Sequence, residues 1–417
     1  MTQKELIPHL FRTEYSKIVA VLCKIFGLSN IQIAEDIVGD TFLLAAETWG
    51  LKGVPENQTG WLYTVAKNKT KDYLKRNKLY VQKIEPELIF GSEKEYLLEI
   101  DLSEKNITDS QLQMLFAICH PSISPESQIG LALRILCGFG IDEIAEAFLT
   151  KKETINKRLF RAKENLRKKN IKIQFPKETE LLPRLDNVLR TLYLLFNEGY
   201  YSAAPNKTLR KDFCAEAMRL TLMLSNNNAT CKPKVNALFS LMCFHASRFE
   251  ARIDYNGAFI LYQDQDKNLW DNGLIQKGTY YLNRSSAGKD LSKYHLEAAI
   301  AYWHTQKNEG NDKWENILQL YNYLLQIEYS PVAALNRTYA LAKANGTAQA
   351  IIEAEKINLK DSHLYHCLLA DFYKPNNIEK AAAHLERAYG LAKSAHEKKL
   401  IKKRLKGYGK LSVPISE

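Results

Sequence analysis

Apolar residues recur at the helical period along almost the whole chain, and no convincing strand-like alternation interrupts them. Ala34, Val38, Thr41, Ala45 and Trp49 share one face of a helix, while Asp36, Asp40, Leu43 and Glu47 fall on another. The Gly- and Pro-bearing stretch GLKGVPENQTG stops that helix, and a second begins near Trp61. In the second, Leu62, Ala66 and Tyr73 lie to one side, whereas Lys67, Lys71, Lys75 and Lys78 run along another. An all-α fold follows. At 417 residues the chain is long enough for about three domains. No run of 18 apolar residues exists to span a membrane, and the N-terminus lacks the apolar core of a secretory signal. Seven scattered cysteines without a CxxC pair fit reduced thiols, so the expected location is cytoplasmic.

Charge is distributed in blocks. The net charge is +11, and residues 151–172 hold ten bases against Glu153 and Glu164. A second basic block covers 61–83, where Asp72 is the lone acid. Between the two lies an acidic stretch containing Glu85, Glu87, Glu93, Glu95, Glu99, Asp101, Glu104 and Asp109. Two basic blocks split by an acidic connector suit two separate contacts with a polyanion; solvated helix faces on a basic protein are the plainer alternative.

The segment IDEIAEAFLTKKETINKRLFRAKENL carries the sharpest local pattern. Ile144, Ala145 and Phe148 form an apolar face on a short helix, a polar connection follows, and Ile155, Leu159, Ala162 and Leu166 repeat as the stripe of a second. This predicts a helix-turn-helix whose second helix enters a major groove. Lys152, Thr154, Asn156, Lys157 and Arg161 remain on its outer face for phosphates or base edges. Leu149 occupies the position where the turn of such a motif usually has glycine.

The order AEDIVGDTFLLAAETW (34–49), GWLYTVAKNKTKDYLKRNK (60–78) and then the helix-turn-helix resembles bacterial RNA polymerase sigma factors of the extracytoplasmic-function group. The first segment resembles the region-two helix that docks on core polymerase, which implies contacts from Asp36, Asp40, Phe42 and Leu43. The second resembles the part that melts and reads the minus-ten element. It implies roles for Asn57, Trp61, Lys67, Asn68, Lys71, Lys75 and Arg76, although Trp61 is better suited to closing the domain core, as are Tyr63 and Tyr73. SPESQIGLALRILCGFGIDEIAEAF followed by TINKRLFRAKENL is similar to region four, the reader of the minus-thirty-five element, and implies Lys152, Thr154, Asn156, Lys157 and Arg161 as its DNA contacts.

The remaining length exceeds what such a factor needs. LYLLFNEGYYSA, QDQDKNLWDNGLIQKG and SPVAALNRTYALAKANG resemble the C-terminal extension of one extracytoplasmic-function subgroup, which is tetratricopeptide-like. Spacing supports that independently: Ile300, Ala334 and Leu368 are 34 apart, as are Ala301, Leu335 and Leu369, and Ile317, Ile351 and Leu385. The expected division is a region-two domain at 1–80, an acidic linker at 81–109, a region-four domain at 110–172, and a helical extension at 173–417 with its clearest repeats at 294–395. The expected partners are core RNA polymerase, promoter DNA and an intramolecular or protein partner for the repeats.

No phosphate-binding glycine loop and no enzymatic constellation is present, so neither catalysis nor a cofactor is expected. His363, His366 and Cys367 lack a fourth ligand and read as repeat-helix positions. Asp266 reads as an N-cap, and Cys119–His120–Pro121 as a helix end. A free-standing regulator using the same helix-turn-helix would need neither the 34–49 helix nor the basic helix after it. A repeat scaffold with a decayed N-terminal half would not keep their stripes intact.

Overall fold

The computed structural model describes residues 3–84, 100–201, 207–252, 260, 262–288, 290–307, 310–357, 359–392 and 395–407. All regular structure among them is helical. The chain divides into two compact units, Met1–Thr230 and Cys231–Glu417.

The first unit opens with α1 (Gln3–Phe26), α2 (Ile31–Lys52) and α3 (Gln58–Ile84). The apolar stripe of α2 is buried as its spacing predicts: Ala34, Val38, Thr41, Ala45 and Trp49 all lie inside. Gly53 ends α2 at a φ of 85°, a left-handed conformation that favours glycine. Asn57 then starts α3, its Oδ1 accepting from the Gly60 N–H at 2.8 Å. Leu62, Ala66 and Thr70 form the buried side of α3.

Next come α4 (Glu104–Ile118), α5 (Pro125–Leu131), α6 (Ile141–Ala147) and α7 (Lys152–Lys168). Residues 104–109, expected at the end of an acidic linker with room for a short helix, form the first turns of α4, which begins at Glu104. Ser103 caps it by accepting from the Asn106 N–H, and Asp101 in turn accepts from the Ser103 N–H at 2.8 Å. Capping decides this boundary, since the apolar pattern of α4 strengthens only at Leu112. Ser124 and Pro125 start α5 by the same logic, and a π-helical turn over Ala132–Leu136 extends it.

The chain from α6 to α7 turns through Leu149, at a φ of 47°. Its N–H reaches the Glu146 carbonyl at 3.1 Å and the Thr150 N–H reaches that of Ala145 at 3.0 Å, a Schellman closure. A leucine therefore holds the left-handed position that glycine takes at least cost. Ile155, Leu159, Ala162 and Leu166 of α7 are buried, as the stripe requires.

Two more helices belong to the first unit: α8 (Glu178–Tyr201) and α9 (Lys207–Asn226). They pair with each other and pack on α4, α5 and α6. Phe213 of α9 meets Phe139 edge-on at 4.6 Å, and Thr191 of α8 donates to Gln128 Oε1 at 2.6 Å. Arg219 donates to the Leu136 carbonyl at 2.8 Å, while Arg184 and Asn187 donate to the Phe116 and Cys119 carbonyls. Helices α8 and α9, expected within the extension, thus share a core with the helices before them.

The second unit contains α10 (Pro233–Ala246), α11 (Phe249–Arg252), α12 (Asn272–Ser285) and α13 (Lys293–Thr305), with α10 packed on α12 and α13. Gly278 lets α12 approach α10 closely, since a Cβ there would fall 2.7 Å from the Phe244 ring. Then α14 (Asn311–Ile327), α15 (Pro331–Asn345), α16 (Thr347–Glu355), α17 (His363–Tyr373), α18 (Ile378–Leu391) and α19 (Ala395–Lys406) follow, each packed on its chain neighbour. The residues spaced at 34 fall on alternate helices: Ile300, Ala334 and Leu368 on α13, α15 and α17, and Ile317, Ile351 and Leu385 on α14, α16 and α18. All six are buried or half-buried.

Candidate nucleic-acid and protein interfaces

On α2, the face opposite the buried stripe is exposed, and Asp36, Asp40, Leu43 and Glu47 all lie on it. Phe42 does not join them. It is 5% exposed and meets Phe11 of α1 edge-on at 5.1 Å, because one residue of helix rotates it by about 100° from Thr41 towards α1. The apolar surface comes from Leu43, 59% exposed, with Leu44 beside it and Leu51 a further two turns on, 89% exposed. Leu44 and Leu51 escaped the sequence reading, and isolated apolar residues on a mixed face give little signal.

The basic helix α3 lies against α2. Asn68, Lys71, Lys75 and Arg76 are exposed and Lys67 is half-buried. Asn57 is exposed too, yet its side chain is committed to capping α3. Trp61 is half-buried and packs edge-on against buried Trp49 at 5.3 Å, so the structure places its ring in the joint between α2 and α3. Tyr63 donates to Glu14 Oε2 at 2.7 Å, and burial together with that carboxylate drives its phenol pKa upward. A groove of about 480 Å³ runs between the two helices. Asp36 and Asp40 form one wall, Lys69, Tyr73 and Arg76 the other, and Lys69 Nζ stands 3.7 Å from Asp40 Oδ2.

On α7, all five expected contact residues, Lys152, Thr154, Asn156, Lys157 and Arg161, are exposed. Lys152 pairs with Asp142 of α6 at 2.9 Å across the turn, leaving the others facing solvent. Phe160, 67% exposed between Asn156 and Arg161 on that face, was missed because a single aromatic looks like a core residue.

The groups set aside on sequence grounds are structural. Asp266 caps the short turn Lys267–Leu269, accepting from the Asn268 N–H at 2.9 Å. His366 Nδ1 lies 3.0 Å from His384 Nδ1 and its Nε2 lies 2.8 Å from the Lys360 carbonyl, so the ring is engaged away from Cys367. Cys119 closes α4, its thiol pushed up to about 12 by burial. No cluster of three or more His, Cys, Asp or Glu suited to a metal occurs among the described residues. Nor is any helix among them long and apolar enough to cross a membrane.

The first unit thus presents an exposed acidic and apolar ridge on α2 beside the basic helix α3, and a second basic helix, α7, on a separate hairpin. Residues 10–80 match sigma-70 region 2, and residues 184–286 match a family of unknown function, DUF6596. Over 382 residues the chain is 30% identical to an uncharacterized protein of Rhizobium meliloti (strain 1021), covering 90% of each chain. Residues 10–80 thus form a sigma-70 region 2 domain, the mark of a family of non-catalytic transcription factors, and this supports a sigma-factor-like role in transcription initiation. No solved structure matches it at a significant level.

Proposed function

We propose that the chain is an extracytoplasmic-function sigma factor that binds bacterial core RNA polymerase in the cytoplasm and directs promoter-specific initiation. The observation that carries this reading is the pairing of two unlike faces within the matched region: the acidic and apolar ridge of α2 and the basic outer side of α3. Asp36, Asp40 and Leu43, with Leu44 and Leu51, form the polymerase contact. Carboxylates there set orientation and encounter rate, and the leucines supply apolar area that is desolvated on docking. Lys67, Asn68, Lys71, Lys75 and Arg76 hold the melted minus-ten strand, the cations neutralising phosphates and Asn68 offering hydrogen bonds to unstacked bases. Asn57 and Trp61 act there as supports, one capping α3 and the other fixing it on α2.

In this reading α6 and α7 are the helix-turn-helix of a region-four domain. Thr154, Asn156, Lys157 and Arg161 read the minus-thirty-five element, with Lys152 positioned by Asp142. Helices α13–α18 act as tetratricopeptide-like repeats, one helical pair per 34 residues, and offer a regulatory surface for a protein partner. The test is to mix the purified full-length chain with bacterial core polymerase and map initiation across genomic DNA. Promoter-specific initiation that depends on the chain supports the reading; no complex and no initiation refutes it.

A further inference from the structure

The second unit gathers cationic and N–H groups from four parts of the chain around one ring, that of Tyr262. The Tyr262 hydroxyl donates to the His304 carbonyl near the end of α13 at 2.9 Å and accepts from Lys313 Nζ of α14 at 3.0 Å. Lys313 Nζ also donates to the Gln306 carbonyl at 2.9 Å. The His304 ring meets Tyr262 edge-on at 4.9 Å, and the Trp270 ring stacks on it at 6.4 Å. The Arg248 guanidinium, between α10 and α11, stands 5.4 Å from the centre of the same ring. An N–H of Asp271 reaches the Ser247 carbonyl at 2.8 Å and so ties the segment of Trp270 to that of Arg248. Lys313 and Trp270 are each 3% exposed.

Three of these groups are shut off from water with nothing to bond. Arg248 Nε, Trp270 Nε1 and His304 Nδ1 are buried and have no hydrogen-bond partner among the described residues. Nor does Arg248 form an ion pair with any described carboxylate. Buried donors are paired in the great majority of folded proteins, and a desolvated guanidinium without a counter-charge is costly. Three such groups around one ring mark a place where an acceptor belongs. The local field is positive as well: burial first, then Arg248 and Lys313, bring the His304 pKa down to about 3. The imidazole is therefore neutral, and its Nδ1 is free to carry the proton as a donor.

We propose that this cluster is a binding site for a small oxyanion, a carboxylate or phosphate group held by the N–H groups of Arg248, Trp270 and His304, with Lys313 adding positive charge. Charge-assisted hydrogen bonds to a guanidinium are short and strong, and an indole N–H, being a donor only, suits an acceptor-only ligand. The rings of Tyr262 and Trp270 keep water away, which strengthens each contact. The inference is independent of the sigma-factor reading, because no residue of the matched region 10–80 enters it.

The test uses the full chain and the rate at which a thiol reagent labels Cys243, buried in the second unit, with Cys119, buried in the first, as the internal control. The probes are inorganic phosphate, acetate and benzoate, each titrated against chloride at constant ionic strength. At about ten times its dissociation constant a bound anion should slow Cys243 labelling about tenfold and leave Cys119 unchanged, because it binds only the folded second unit. Which probe acts at the lowest concentration tells phosphate from carboxylate. Arg248→Gln removes the cation, and Trp270→Phe removes the indole N–H while keeping a ring. In each variant the half-effective concentration should rise about tenfold or more. If Arg248→Gln exposes Cys243 without any anion, Trp270→Phe decides alone. No selective slowing by any of the three anions, or slowing at an unchanged concentration in either folded variant, overturns the inference.

Discussion

Replacing Phe213 with alanine would measure how firmly α8 and α9 belong to the first unit. The Phe213 ring is buried and meets the fully buried Phe139, which lies between α5 and α6. Removing a buried phenylalanine costs about 3–5 kcal/mol, combining lost transfer energy with the cavity left behind. Part of that is the edge-on ring contact itself, about 0.5–1.5 kcal/mol. The two units can be followed separately in one urea titration by pulsed thiol labelling. Cys119 and Cys137 report the first unit and Cys243 the second, all three being buried. Phe213→Ala should move the Cys119 and Cys137 transitions to lower urea by about 1–2 M and leave that of Cys243 in place. A chain cut after Lys172 should then fail to protect Cys119 and Cys137 even without denaturant, because it loses every α8 and α9 partner of α4–α6. One cut after Thr230 should protect both. A loss under about 1 kcal/mol in the variant, or full protection in the shorter fragment, would refute the claim that α8 and α9 complete this core.

Other expectations follow from single sites. Leu149→Gly should raise the stability of the first unit by about 0.5–1 kcal/mol in thermal unfolding, because Leu149 is 66% exposed, buries little, and holds a left-handed φ; a lower melting temperature would show that its side chain matters more than its backbone. Reversing charge at Asp36 and Asp40 together should weaken capture of core polymerase while helicity stays native, since the exposed Asp40–Lys69 pair is worth at most about 1 kcal/mol; undiminished capture would place the docking face elsewhere. Lys157→Ala with Arg161→Ala should weaken binding to upstream duplex by about 1–3 kcal/mol for each lost base contact. Lys71→Ala with Arg76→Ala should instead slow promoter opening, and identical defects of the two pairs on a pre-melted template would refute that division. His304 of the second unit is buried beside Arg248 and Lys313, and burial first, then those charges, lowers its pKa to about 3. Its folded pKa lies below the unfolded value, so stability is full above about pH 6.5 and falls as acid protonates the unfolded chain. Between pH 6.5 and 5 the second unit should lose about 2 kcal/mol from this group, and a urea midpoint for Cys243 that is flat across that range would contradict it.

Periodicity alone determined the helical class, the buried stripes of α2 and α7, the burial of Leu62 and Ala66 on α3, and the exposure of Lys71 and Lys75 on α3 and of the outer residues of α7. The reason is local: a helix fixes the angle between residues, so spacing says which side chains share a face. It does not say how wide the buried arc is or which neighbour will cover its margin. Phe42 sits on that margin, and only the approach of Phe11 from α1 decides that it is core. The start of α4 was hidden for a similar reason, since Ser103 and Asp101 fix it through hydrogen bonds that hydropathy does not register. The unit boundary was the least legible feature. Composition and resemblance place a break near Lys172, yet Phe213, Thr191 and Arg219 continue the same core to Thr230. The ion pairs of Glu35 on α2 with Arg134 and with Lys163 of α7 lie wholly outside the reach of sequence. Those partners stand 99 and 128 residues away, and no periodic pattern links an acid on one amphipathic helix to bases on others. Pairing across that distance is settled by packing of the apolar faces, which brings a few charges within reach of one another and leaves the rest in water.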